Sequence, residues 1–305
     1  MSTQATNGRA FEWAMGSCLQ RQTQFPILQN PFSENARQSF SRVSNELQKR
    51  FMQAGEMAVF EILKRERVVP EQCNHGEIIF NSDRAGAAGD VRDVLLNIAG
   101  RTLGISCKNN HEAMKHSRLS GTVDFVKKWG LHPDGCGAAY WNAIRPLFSE
   151  LKTIKKQSNG QALWNDLPEK PIRFYWPILN AWVAEIQRLR EIPEVEKALC
   201  RALISYLVGK HDFYKVICSS DKTVRLQAWN FNRTLSTPHT QYPTVINVIN
   251  TMNGGQYSKT IVFNHGYSIN FRIHNASSKV EPSLKFDITA IGLPPSEIRQ
   301  QTLDY

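Results

Sequence analysis

GDVRDVLLNIAGRTLGISCKNNH (Gly89–His111) places two short runs rich in Val, Leu and Ile on either side of a glycine-containing turn. The runs DVLLNI (93–98) and TLGISCK (102–108) are punctuated by Gly and Asn, and they read as neighbouring strands of a buried sheet that pair with each other. Side chains alternate across a strand. Asp93 therefore shares a face with Leu95, and Ser106 shares one with Lys108, while Ile105 and Cys107 point the other way. One carboxylate and one ammonium at adjoining strand ends make a candidate site. Asp90 competes with Asp93 for the acidic role, because residues three apart on a strand face opposite sides; the unbroken VLL after Asp93 favours Asp93.

Upstream, Phe40, Val43, Leu47, Phe51, Ala54, Ala58 and Ile62 recur at steps of three and four, which predicts one long helix from about Ser39 to Arg67. GEIIF (76–80) adds another strand before the hairpin. Downstream of Tyr140 the period is helical, and from about Asp212 it turns to alternation, read as an antiparallel meander with NHGY (264–267) as one turn. The fold class expected is α/β: a mixed central sheet flanked by helices, with a helical insertion and a β-rich C-terminal part. By composition the chain divides into N-terminal helices plus core sheet (1–136), a helical region (137–211) and a β-rich region (212–305), all compatible with one compact domain.

The 37 Lys and Arg against 27 Asp and Glu leave a net charge of +10, which favours a polyanionic partner. Charge alone does not separate DNA, RNA and anionic membrane. No run approaches the roughly 18 apolar residues of a spanning helix, and the N-terminus lacks the pattern of a secretory signal. A cytoplasmic protein without a membrane partner is expected. The six cysteines are scattered without a C-x-x-C pair, so reduced, buried thiols are expected; His132 and Cys136 lack further zinc ligands at short spacing.

The Asp93, Ser106 and Lys108 arrangement resembles the PD-(D/E)XK nuclease core, in which an aspartate and an acidic-x-Lys triplet hold Mg²⁺ against a scissile phosphate. A hard cation takes oxygen ligands, neutralises phosphate charge and makes water a stronger acid. Lys108 is assigned the orienting and electrostatic role, since carboxylates beside it favour its charged form. The sequence departs from that core at Ser106, where the triplet usually opens with Glu or Asp. Glu61 is the leading substitute, ahead of Glu112 and Asp124, with Glu56 on the opposite side of its helix; Asp93, Glu61 and Cys107 are the expected metal positions. His111 has no ββα-metal setting around it.

GDVRDV, GISCKNNHEAMKHSRLS, HDFYKVI and INFRIHNASSKVEPSLKFD together resemble the family of type II restriction endonucleases that cut the palindrome GGCC, over most of the chain. The resemblance implies Mg²⁺-dependent cleavage of both strands of double-stranded DNA, in a bacterium protected by a companion methyltransferase that acts on the same site. A palindromic target suggests a homodimer. FRIHNASSK offers Arg272, His274, Asn275, Ser277, Ser278 and Lys279 for base or groove contact, because guanine is read by bidentate donors. KHSRLS offers Lys115, His116, Ser117, Arg118 and Ser120 for phosphates. Two other readings compete: a non-catalytic DNA- or RNA-binding protein whose Asp–Lys pair is structural, and a repair nuclease with the same core.

Overall fold

The computed structural model describes residues 3–69, 75–82, 89–98, 100–110, 118–250, 258–275, 277–294 and 300–304. The chain forms two compact units, each discontinuous in sequence: residues 1–112, 210–241 and 294–305, and residues 113–209 and 242–293. These units divide the chain differently from the boundaries at 136 and 211 drawn from composition. Composition follows local periodicity, whereas a compact unit gathers whichever segments pair.

The first unit begins with α1 (Thr3–Thr23), α2 (Pro31–Arg42) and α3 (Asn45–Glu66). The predicted helix from Ser39 to Arg67 is in fact broken. Val43 is extended (φ −84°, ψ 158°), and Ser44 caps a new helix by accepting from the Leu47 N–H at 3.3 Å. Phe40, Val43 and Leu47 still pack against one core, so the apolar stripe runs on through a backbone that does not. Asn30 and Ser33 form a reciprocal capping box at the start of α2 with Pro31 in its first turn, and Arg67 closes α3 in the left-handed region at φ 53°.

These helices cover a six-stranded mixed sheet of order β1-β2-β3-β5-β6-β11, made of β1 (Gly76–Phe80), β2 (Val94–Ile98), β3 (Arg101–Asn109), β5 (Phe213–Cys218), β6 (Thr223–Trp229) and β11 (Gln300–Asp304). The hairpin expected from residues 93–108 is present: Val94 opposes Ile105 and Leu96 opposes Leu103. Leu103, Ile105 and Cys107 join Phe11, Ala14, Phe51 and Ala58 in the core, which leaves Ser106 and Lys108 on the other face. β5 and β6 do not belong to the C-terminal meander. β5 runs parallel to β3, with Ser106 opposite Lys215. Parallel strands cannot be joined by a tight turn, and the long segment between Asn109 and Phe213 serves as the crossover.

The second unit contains α4 (Phe125–Trp129), α5 (Ala138–Gln157), α6 (Trp176–Arg190) and α7 (Pro193–Val208), close to the helical segments expected. Its antiparallel sheet, order β4-β10-β9-β8-β7, is built from β4 (Arg118–Leu119), β7 (Ile246–Asn250), β8 (Ser258–Phe263), β9 (Ser268–Asn275) and β10 (Leu284–Gly292). Trp182 is fully buried, with its ring 5.1 Å from both Phe271 and Phe286, so the tryptophan anchors α6 to the inner face of this sheet. No described helix is long and apolar enough to cross a membrane. The five described cysteines are free and buried.

Candidate active site

Asp93 directly precedes β2, and its carboxylate reaches across to β3. Its Oδ2 accepts from the Cys107 backbone N–H at 2.7 Å, from Ser106 Oγ at 3.3 Å and from Lys108 Nζ at 3.3 Å. The Asp93 N–H donates to the Ile105 carbonyl at 2.8 Å, which fixes the residue from its main chain as well. The expected pair is therefore assembled by hairpin register, and both side chains keep access to solvent, 25% for Asp93 and 21% for Lys108.

Asp90 goes elsewhere. Its carboxylate grips Arg92 through Nε at 2.7 Å and Nη2 at 2.8 Å, and accepts from Asn81 Nδ2 at 3.0 Å. Burial pushes its pKa up, but the Arg92 hydrogen bonds outweigh that and the net shift is downward. The Arg92 stem lies across Gly104, where an added Cβ would sit 2.0 Å from Arg92 Cδ. Asp90 thus braces the hairpin through Arg92.

A carboxyl that the sequence reading did not single out, Glu12 on α1, lies close enough to Asp93 to feel its charge. Its carboxyl is pushed up to about 8, first by burial and then by the negative charge of Asp93, against opposing pulls from Arg9 and Lys108. Arg9 Nη1 donates to Glu12 Oε2 at 2.9 Å. A signal for it existed. Ala10, Phe11, Ala14, Met15, Cys18 and Leu19 repeat at helical spacing and are buried, and Glu12 is the sole acidic residue ahead of Glu34.

Glu61, the substitute expected from the sequence, is held by its own helix: Oε1 accepts from Arg65 Nε at 3.0 Å, and Oε2 lies 4.0 Å from Lys64 Nζ. Glu56 pairs with Arg21 at 2.9 Å, and Asp124 caps α4 by accepting from the Lys127 N–H at 2.9 Å. Glu112 and His111 lie outside the described residues. Cys107 donates its backbone N–H to Asp93. Burial, then Asp93 and Glu12, hold its thiol pKa well above the ordinary value, and a neutral thiol is a poor ligand for a hard cation.

Two nearby carboxylates with too little compensating charge are what a divalent cation requires. Mg²⁺ commonly takes one or two protein carboxylates and completes its shell with water and phosphate oxygens. Among the described residues no cluster of three or more His, Cys, Asp or Glu side chains is placed to hold a metal. The Asp93 and Glu12 pair suits a cation held in that way. Lys108 is an ammonium at neutral pH: burial pulls its pKa down, but Asp93, Cys107 and Glu12 together carry it above its ordinary value.

The expected DNA-contacting residues fall in the second unit. Arg272 and His274 share the outer face of β9, as alternation required, and Arg272 pairs across the strands with Asp287 at 2.8 Å. Asn275 is engaged on both sides, accepting from Tyr175 Oη at 3.0 Å and donating to the Ser277 carbonyl at 2.6 Å. The Lys279 ammonium donates to Gln161 Oε1 at 2.9 Å, Ser277 donates to the Lys279 carbonyl at 3.0 Å, and Ser277 and Ser278 are exposed. Arg118 is exposed and reaches Glu281 at 3.6 Å. Lys115, His116 and Ser117 lie outside the described residues.

A profile described as HaeIII restriction endonuclease matches residues 8–294. Type II restriction enzyme HaeIII of Haemophilus aegyptius is 31% identical over 315 residues, spanning 97% of this chain and 96% of the relative. No solved structure matches significantly.

Proposed function

We propose a mechanism from this premise: the chain belongs to the HaeIII restriction endonuclease family and is a type II restriction endonuclease, a site-specific deoxyribonuclease. The target taken here is GGCC, by resemblance to that family. The observation that carries the site assignment is the single oxygen of Asp93 shared by the Ser106 hydroxyl, the Cys107 amide and the Lys108 ammonium, with Glu12 close enough for Asp93 to raise its pKa.

Asp93 and Glu12 would hold the divalent cation, Mg²⁺ being the expected one. When bound, it supplies Lewis-acid polarisation of the scissile phosphoryl group and a lower pKa for the attacking water. Lys108, charged at neutral pH, donates to the phosphate or to the water and stabilises the negative charge that grows on the phosphoryl oxygens. It has no proton vacancy with which to act as a base. Ser106 orients Asp93, and the Cys107 N–H keeps one carboxylate oxygen pointed at the strand so that the other stays available.

Arg272, His274 and the exposed hydroxyls of Ser277 and Ser278 are proposed as base or groove contacts, and Arg118 as a phosphate contact. Lys115, His116 and Ser117, by their sequence alone, are proposed as further phosphate contacts. One Asp93–Lys108 site per chain and a palindromic target favour a homodimer, with one site per strand. DNA as substrate favours the bacterial cytoplasm, and cutting there calls for a companion methyltransferase that acts on the same site to protect the host.

The test is incubation of purified protein with plasmid DNA in Mg²⁺ and then in EDTA. Discrete fragments ending within GGCC, lost on chelation, are expected. A smear would refute the site specificity, and a gel shift without cutting in Mg²⁺ would refute the mechanism.

A further inference from the structure

The outer face of the five-stranded sheet carries charge in an ordered pattern. Register sets Arg118 beside Lys285 and Lys285 beside His274; one step along the strands it sets Asp287 beside Arg272. Alternation keeps all five on the face opposite Phe271, Ile273, Phe286 and Ile288, which are buried. Like charges placed directly opposite on neighbouring strands destabilise a sheet. Arg118 and Lys285 are such a pair. The Lys285 pKa is lowered, by burial first and by Arg118 second, and Glu281 and Asp287 offset this only in part. An anion lying over the row would relieve that crowding.

Arg272 is held differently. Its Nε and Nη2 both donate to Asp287 Oδ2, at 3.0 and 2.8 Å, while its side chain is 60% exposed and that of Asp287 only 14%. The carboxylate anchors the guanidinium from within the sheet. An arginine tethered in this way has less rotamer freedom to lose on binding. As a contribution to stability alone such a half-exposed pair is worth little.

We propose that this face is a contact surface for duplex DNA, in which Lys285 with Arg118 holds a backbone phosphate and Asp287 is the positioning residue that aims Arg272 at a guanine. The part played by Asp287 rests on the reading of Arg272 as a base contact given above; the part played by Lys285 does not.

The test measures binding of the full-length protein in a Lys108→Ala background, by fluorescence anisotropy across a range of KCl, to a GGCC duplex and to one with a single base pair changed. Lys285→Gln is expected to weaken both duplexes equally and to reduce the slope of log affinity against log salt by about 0.9, with Lys285→Arg restoring it. Asp287→Asn is expected to leave that slope unchanged and to cut the preference for GGCC by about 10-fold. Added to Arg272→Ala, Asp287→Asn should cost nothing further.

An unchanged slope in Lys285→Gln overturns the phosphate contact. If that variant melts early, Arg118→Gln reads the same quantity. Full preference in Asp287→Asn, together with lost preference in Arg272→Ala, overturns the positioning role alone. Full preference in Arg272→Ala overturns the base contact beneath it.

Discussion

The two sheets are short of opposite charges. At the end of the β2–β3 hairpin, carboxylates crowd: Glu12 is pushed up to about 8 by burial and by Asp93. On the outer face of the second sheet, cations crowd: Lys285 is lowered by burial and by Arg118. Charge concentrated against its own solvation is costly for a fold. The first surface is complementary to a cation, the second to an anion. A nuclease needs both, and under the proposed function chemistry falls to one sheet and grip to the other.

The sharpest way to break that contrast is to remove the chemical groups and look for lost binding. Asp93→Ala and Lys108→Ala should each lower single-turnover cleavage of GGCC by about 10³-fold or more, while anisotropy shows specific binding retained. Glu12→Gln should lower cleavage by about 10²-fold, and Glu61→Gln, assayed beside it, should cut at the wild-type rate. A wild-type rate for Glu12→Gln would return the second carboxylate to Glu61.

Arg272→Ala should do the reverse, leaving cleavage of non-cognate DNA unchanged and eroding the preference for GGCC by roughly 10- to 100-fold, the worth of one bidentate base contact. Competition digests of cognate and one-mismatch duplexes measure it. Equal losses on both substrates would mean that Arg272 grips rather than reads.

The smallest effect is on stability. Glu12 has its folded pKa raised from 4.5 to about 8. Between those values the folded state holds the proton more tightly than the unfolded chain, so the contribution of Glu12 is fully present below pH 4.5 and lost as pH rises through about 8. Metal-free wild type should therefore lose Tm over that window relative to Glu12→Gln, by about 2–4 °C for each kcal/mol involved. Added Mg²⁺ should restore part of it in wild type and none in the variant, as thermal melts at pH 5 and pH 8.5 would show.

Much of this was legible locally. Alternation along DVLLNI and TLGISCK placed Ser106 and Lys108 together, and the observed register did the rest. The same rule put Arg272 and His274 on one face. It failed where a local pattern outlived the structure it implied. The stripe from Phe40 to Ile62 crosses a helix break because Ser44 offers its own hydroxyl as a cap, and a core can accept side chains from either segment. It failed also for β5, whose alternation is as fit for a parallel neighbour as for a meander.

What the sequence determined by itself is whatever the backbone repeats every two residues: the hairpin, the pairing of Asp93 with Lys108, the polar face of β9, and a net positive charge suited to DNA. Only the tertiary structure decided which carboxylates come near one another. Asp90 was taken by Arg92, Glu61 by Arg65, and Glu12 was brought to Asp93 from a helix far upstream. Local geometry constrains neighbours along the chain, but proximity between distant carboxylates is set by how helices pack on a sheet, and no spacing in the sequence encodes that distance.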